Sequence, residues 1–265
     1  METQKEPLSI VVVGAGNVAT NLTLRIMAAG HTISQIVGSS SLNAEKLAKQ
    51  VNCAFTLNIN EIFSNAHLYI IAVPDSAIQD VVDKFPHADG LVVHTSGSTP
   101  IDVFEGKFAN YGVFYPFQTF SPEREVNLHG IPLCIEANSE NNLSLLASLA
   151  EAIGANAIEM DSETRRWLHV SGVFACNFVN HMLALSQVIA EENGFDFELL
   201  KPLVSETVKK ALDGNPLKMQ TGPAVRGDSE TIKKHIIMLS SMSDELREIY
   251  MSISDSIWQL SHGEE

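Results

Sequence analysis

The stretch Ser9-Ile10-Val11-Val12-Val13-Gly14-Ala15-Gly16-Asn17-Val18-Ala19 runs from an apolar segment into the pattern Gly-x-Gly-x-x-Ala. An apolar strand emptying into a glycine turn that opens a helix is the signature of a dinucleotide-binding βα unit. Gly14 permits the tight turn, Gly16 lets backbone approach a pyrophosphate, and Ala19 is small enough for the helix to pack on its strand. Asn17 and Val18 begin the helix, whose unpaired N–H groups point at the phosphates. Val18, Leu22, Ile26 and Ala29 fall on one helical face and Gly30 supplies the stop. A glycine turn in some other α/β protein is the competing reading, and the context on both sides favours the dinucleotide.

From this unit outward, apolar strands alternate with helical stretches over residues 9–13, 32–37, 53–56, 68–73, 91–94 and 112–115, the order of a parallel sheet with helices on both faces. Segments 131–136 and 155–160 bracket a helix at 141–153 and extend the same sheet. Beyond Ser162 the strand signal disappears, and helices are expected at 163–192, 196–212, 229–242 and 244–260. The expectation is an α/β Rossmann-type doubly wound sheet (1–160) followed by an all-α C-terminal domain (161–265). The 163–192 segment is apolar on more than one face, which calls for burial at the centre of its domain or in a subunit interface.

The chain has 265 residues, 45% of them hydrophobic and 18% charged, enough to bury a sizeable core. No stretch reads as the roughly 20 consecutive apolar residues of a membrane span. The N-terminal Met-Glu-Thr-Gln-Lys-Glu lacks the order of a signal peptide. These features imply a cytoplasmic protein without a membrane partner. The three cysteines, Cys53, Cys134 and Cys176, have no paired spacing, and no cluster has metal-ligand spacing. A formal charge of −15 would repel phosphate backbones and argues against nucleic acid.

An NAD site usually has an acidic residue at the end of the second strand to hold the ribose hydroxyls. Here the strand ends in Gly38-Ser39-Ser40-Ser41, which could take a 2′-phosphate without repulsion. NADP is therefore expected over NAD, with Ser39 and Ser40 beside the phosphate. No arginine sits in this loop, and Lys46 and Lys49 read as surface residues.

Further segments complete a pattern: Ala72-Val73-Pro74-Asp75, His94-Thr95-Ser96-Gly97-Ser98, Tyr115-Pro116-Phe117-Gln118-Thr119-Phe120-Ser121, His169 to Asn177, and Thr221-Gly222-Pro223-Ala224-Val225-Arg226-Gly227-Asp228. With the glycine turn they resemble a largely uncharacterised family that joins a Rossmann-like domain to a helical domain of unassigned function. Its relatives include pyrroline-5-carboxylate reductase, ketopantoate reductase and the deazaflavin-dependent NADP reductases. The resemblance implies NADP as cofactor and a homodimer formed through the helical domain. It also implies a polar residue of the long helix facing the nicotinamide. The chain departs at Ser40, where the family pattern leads one to expect a basic residue.

Val73 and Pro74 leave the sheet at its carboxyl edge, where ligands of open α/β folds bind. Asp75 there reads as the cap of a helix over 76–84. His94 and Ser96 reach the same edge, as a reactive cluster or as an ordinary turn. Hydride transfer needs a proton partner, and His94 and His169 are the candidates. Asn177, among Phe174, Cys176 and Phe178, is either a third catalytic group or a core amide bonded to backbone. Arg226, in a glycine- and proline-bounded loop, is placed to bind a substrate carboxylate or a cofactor phosphate, or else to pair with Asp228. Asp228 itself is expected to cap the next helix. Tyr115 is assigned to substrate binding. The function implied is an NADP-dependent oxidoreductase of a small carbonyl, imine or alcohol; the rival is a non-catalytic NADP(H)-binding regulatory or scaffold protein, since one fold serves both uses.

Overall fold

The computed structural model describes residues 6–121 and 126–263; residues 1–5, which carry most of the N-terminal reading above, lie outside them. Eight strands form one sheet: β1 (Ser9–Val13), β2 (Thr32–Val37), β3 (Ala54–Thr56), β4 (Leu68–Ile71), β5 (Leu91–His94), β6 (Tyr111–Pro116), β7 (Pro132–Ala137) and β8 (Asn156–Glu159). Their order is β3-β2-β1-β4-β5-β6-β7-β8, so the chain reverses direction across the sheet between β1 and β4, the crevice where such folds bind ligands. The sheet is not wholly parallel as expected: β7 runs antiparallel to β6, and β8 returns parallel to β7.

Alternation along the strands divides the interior in two. Ile10 and Val12 of β1, with Leu68 and Ile70 of β4, face one core closed by α1 (Asn17–Ala28), α2 (Ser41–Val51) and α4 (Glu140–Ala152). Val11, Val13, Tyr69 and Ile71 face the other, closed by Ile78 and Val82 of α3 (Asp75–Lys84) and by Phe85, Phe104 and Phe108. Both faces of the central strands are thus covered, as a parallel sheet requires.

The chain separates into two compact units, 1–177 and 178–265. The first holds the sheet, α1 to α4, α5 (Ser162–Gly172) and most of a π-helical segment, Val173–Phe178. The second holds α6 (Val179–Glu192), α7 (Lys201–Asp213), the short α8 (Pro216–Met219) and α9 (Pro223–Arg226), α10 (Ser229–Ser240) and α11 (Asp244–His262). Asp228 caps α10 as expected, accepting from the Thr231 N–H at 3.1 Å.

One expectation is corrected and one is narrowed to its second alternative, a subunit interface. The run Ser162–Glu192 is, by length and composition, apolar enough to cross a membrane; Asn177, Asn180, His181 and Gln187 interrupt it in the sequence without lowering its average below that of a span. Nor is it buried within its own chain: Trp167 is 67% exposed and Val170 44%. In the second unit Ala190 and Ala224 are the only buried hydrophobic residues among those described, so its helices leave much apolar surface outward.

Candidate active site

The glycine turn is built largely from backbone. Gly14 has φ +124°, accessible chiefly to glycine, and a Cβ there would stand 2.1 Å from the Ala72 carbonyl oxygen. Its N–H donates to Val37 at 2.7 Å, fastening the turn between the ends of β2 and β4. A Cβ at Gly16 would meet nothing within 4 Å: the space above the turn is open. Gly16 caps α1 without a side-chain hydrogen bond, so the first N–H groups of the helix are not taken by a capping side chain. Above them lies a groove of about 670 Å³ lined by Gly14, Gly16, Ser39, Ser40, Val73 and Pro74 among others. Asp80 and Lys84, also on its wall, pair with each other at 2.7 Å. Asn17 lies outside this groove in an adjoining hollow with Lys46, and Val18 packs on the core beneath. The donor set, backbone dipoles with hydroxyls at the end of β2, fits a dinucleotide: α1 would hold the pyrophosphate, and Ser39 and Ser40 the far ribose.

At the ends of β4 and β5 the structure differs from the sequence reading. Pro74, not Asp75, occupies the cap position of α3; Asp75 is its first residue, and its carboxylate accepts a hydrogen bond from the Ser98 hydroxyl. The Ser96 hydroxyl accepts from the N–H groups of Ser98 at 3.1 Å and Thr99 at 2.9 Å. Ser96 therefore shapes the turn and is itself buried. His94 is fully buried because alternation along β5 sends it to the same side as Val92, where its ring lies 5.4 Å from Phe104. Its Nδ1 accepts from the Ser96 N–H at 3.1 Å. Burial, then the positive charge of Arg165, pushes its pKa down to about 4, against the opposing pull of the Pro100 carbonyl and Asp75. A neutral, enclosed imidazole holds a turn; in this geometry no substrate can reach it.

The polar anchor of this edge is Arg165, one helical turn before His169. In the antiparallel pair β6–β7, opposed residues share a face, which puts Cys134 beside Tyr115 and Glu136 beside Val113. Arg165, wholly buried, donates from Nη1 to Glu136 and from Nη2 to the Thr99 carbonyl at 2.7 Å. Ser162 completes the knot, donating to Glu136 at 2.7 Å and accepting from the Ile101 N–H at 2.9 Å. Losing one member of such a buried pair costs about 3–5 kcal/mol.

Arg165 sets α5 so that His169, one turn on, meets Tyr115: Nδ1 and the phenolic oxygen are 3.1 Å apart. Burial first, with Cys134 and Asp75, pushes the Tyr115 pKa up to about 12, against Arg165. Gly97 fits against this pair, where a Cβ would come within 2.7 Å of Tyr115 Cζ and 2.8 Å of His169 Nδ1. Tyr115, His169 and Asn177 line one cavity of about 430 Å³ with Phe117, Phe120 and Val173. Asn177 is exposed rather than the buried amide expected, in a π turn that buries none of its residues. The Asn17 side chain donates to the Phe120 carbonyl at 3.1 Å, joining the glycine turn to the cavity wall. Arg226 ends α9 in the second unit, exposed; the Asp228 carboxyl is held low first by the Thr231 N–H and to a smaller degree by Arg226.

Residues 1–114 match the model of a Rossmann-like domain and residues 131–257 that of a domain of unknown function (DUF2520). No curated protein matches the chain. Among solved structures, the "putative NADP oxidoreductase" of Bacteroides fragilis is 37% identical, with TM-score 0.87, covering 96% of this chain and 98% of that one. A Thermotoga maritima protein is 21% identical, with TM-score 0.69, 95% of this chain and 98% of the other being covered. The 1-pyrroline-5-carboxylate reductase of Streptococcus pyogenes shares the fold at 13% identity, with TM-score 0.61 and coverage of 96% and 98%. The identity and full-length cover of the Bacteroides protein, together with the paired domain matches, place this chain in the family that joins a Rossmann-like domain to the DUF2520 helical domain.

Proposed function

We propose that the chain is an NADP-dependent oxidoreductase acting on a small carbonyl, imine or alcohol. The observation that carries the reading is the glycine-floored groove with serines, and no acidic residue, at the end of β2. The name borne by the 37% identical Bacteroides protein agrees with it. Residues 1–160 serve as the dinucleotide-binding domain and 161–265 as the substrate and dimerisation domain. Gly14, Gly16, Asn17 and Val18 form the pyrophosphate turn, Ser39 and Ser40 meet the 2′-phosphate, and Val73, Pro74 and Ser96 shape the nicotinamide end. The cofactor, when bound, supplies the hydride. Proton exchange falls to the Tyr115–His169 edge with Asn177 beside it; His94 acts through the Ser96 turn. Arg226 serves as an anion ligand, for a cofactor phosphate or a substrate carboxylate.

A homodimer in the cytoplasm completes the proposal. A helical unit with two buried alanines for a core needs a cover. A second copy suits its mixed surface better than lipid, since charged residues such as Lys209, Lys210 and Glu206 share those helices. The three cysteines stand as free thiols, in keeping with a reducing compartment.

Titration with NADPH and NADH, followed by cofactor fluorescence, tests the cofactor reading. NADPH should bind more tightly, and Ser39→Asp should remove that preference by about 1–4 kcal/mol, the range for a like charge some 4 Å away. Equal or reversed affinities in the wild type would overturn it.

A further inference from the structure

The cavity beside Tyr115 has a two-part character that the oxidoreductase reading leaves unassigned. Its walls are mostly apolar, from Phe117, Phe120, Val173 and Ala175, with Gln118 and Thr119 between the two rings and Gly172 where a Cβ would strike the Phe117 ring, at 2.7 Å. Its uncharged polar groups include the paired Tyr115 hydroxyl and His169 imidazole, and the Asn177 amide. Among the described residues no lysine, arginine, aspartate or glutamate lines it. Against the described lining a carboxylate would lose hydration without gaining a counter-charge, whereas an uncharged carbonyl or imine needs only a single donor. The π turn that presents Val173, Ala175, Cys176 and Asn177 to the cavity is a helix irregularity of the kind that recurs at functional sites.

We propose that this cavity binds an uncharged ketone or imine with an apolar body, which leaves Arg226 to a cofactor phosphate rather than a substrate carboxylate, and that Tyr115 protonates the heteroatom while His169 positions and recharges Tyr115; the proposal rests on the oxidoreductase reading. With a proton on Nδ1, His169 donates to the phenolic oxygen 3.1 Å away and leaves the phenolic O–H for the substrate. As hydride reaches the carbonyl carbon, the π-electron pair moves onto oxygen. That oxygen takes the phenolic proton: the tyrosine O–H breaks and the product O–H forms. The phenolate then recovers the Nδ1 proton of His169 while the ring's Nε2 takes a proton from solvent, so the imidazole stays neutral and phenol is restored. Gly97 and Gly172 keep the Tyr115 and Phe117 rings seated, because each lacks the Cβ that would displace them.

Two probes of equal body separate the alternatives: 4-phenyl-2-butanone, and 2-oxo-4-phenylbutanoate, which adds a carboxylate. Calorimetry on the NADP⁺ complex should show the ketone binding more tightly than the keto acid, and the ketone should oxidise NADPH. Tyr115→Phe should keep NADPH affinity and ketone binding within a few-fold, yet lower kcat by roughly a hundredfold or more. His169→Asn should keep both affinities and change the pH profile of kcat. Tighter keto-acid binding, failure of both probes to bind at millimolar concentration, ketone binding without NADPH oxidation, or an unchanged kcat in Tyr115→Phe would each overturn the proposal. Failure of NADPH itself to bind would instead overturn the oxidoreductase reading on which it rests.

Discussion

The glycine groove and the Tyr115 cavity lie in the same compact unit and are joined through the Asn17–Phe120 hydrogen bond, yet they are made of different material. The groove is floored by backbone: Gly14 at positive φ, the start of α1, and a carbonyl of Ala72 so close that no side chain fits. The cavity is walled by side chains from residues 115–120 and 169–177, brought together by the buried Arg165–Glu136 pair. A site of backbone is rigid, serves any ligand with the right phosphate, and tolerates almost no change at its glycines. A site of side chains can be retuned one ring at a time, which is where a family sharing one cofactor fold can vary its substrates.

The largest expected effect tests the backbone half. Gly14→Ala combines left-handed strain with a Cβ driven onto a carbonyl oxygen that cannot move without shifting β4. We expect a loss of about 4–6 kcal/mol in unfolding free energy, the upper end of strain and overpacking together, along with NADPH binding. A stable variant that still binds NADPH would show the groove to be more pliable than its geometry indicates.

An intermediate effect concerns the turn after β5, whose Gly97 backs Tyr115 and whose Ser98 holds Asp75. His94 titrates near 6.5 when unfolded and at about 4 when folded, so between those values the unfolded chain binds more protons. Stability from this group is fully present above pH 6.5 and is lost as the pH falls toward 4. The loss is on the order of 3 kcal/mol. Denaturant melts across that window should be steeper in pH for the wild type than for His94→Gln; equal slopes would mean that the ring is hydrated or charged in the fold.

The smallest effect belongs to the side-chain half. In Gly172→Ala the new methyl meets the edge of the Phe117 ring, which can rotate away. We expect about 1–2 kcal/mol of destabilisation, normal NADPH affinity and a narrower cavity that weakens ketone binding. A loss as large as that of Gly14→Ala would erase the distinction between the two sites.

Residues 9–19 were enough to place the groove, because its features are properties of consecutive residues: two glycines, a small alanine and an apolar strand. Strand parity was present in the sequence too. It explains why His94, grouped with the reactive edge by its neighbours Thr95 and Ser96, turns inward onto Phe104 instead. Asp75 carried the local signal of a helix cap, but Ser98, 23 residues away, claims its carboxylate. Asn177 looked buried because its sequence neighbours are apolar, a sign that failed where Phe174 and Phe178 are themselves exposed.

The sequence by itself thus determined the fold class, the turn that receives a dinucleotide and the absence of a carboxylate after β2, since each depends on the order of adjacent residues and on backbone conformations that only certain residues adopt. Only the tertiary structure decided that Tyr115 and His169 face each other, that Arg165 is buried against Glu136, and that Gly97 and Gly172 are gaps filled by rings. Those contacts join positions 18 to 72 residues apart, and their geometry follows from the antiparallel turn of β7 and the docking of α5, which no local pattern encodes.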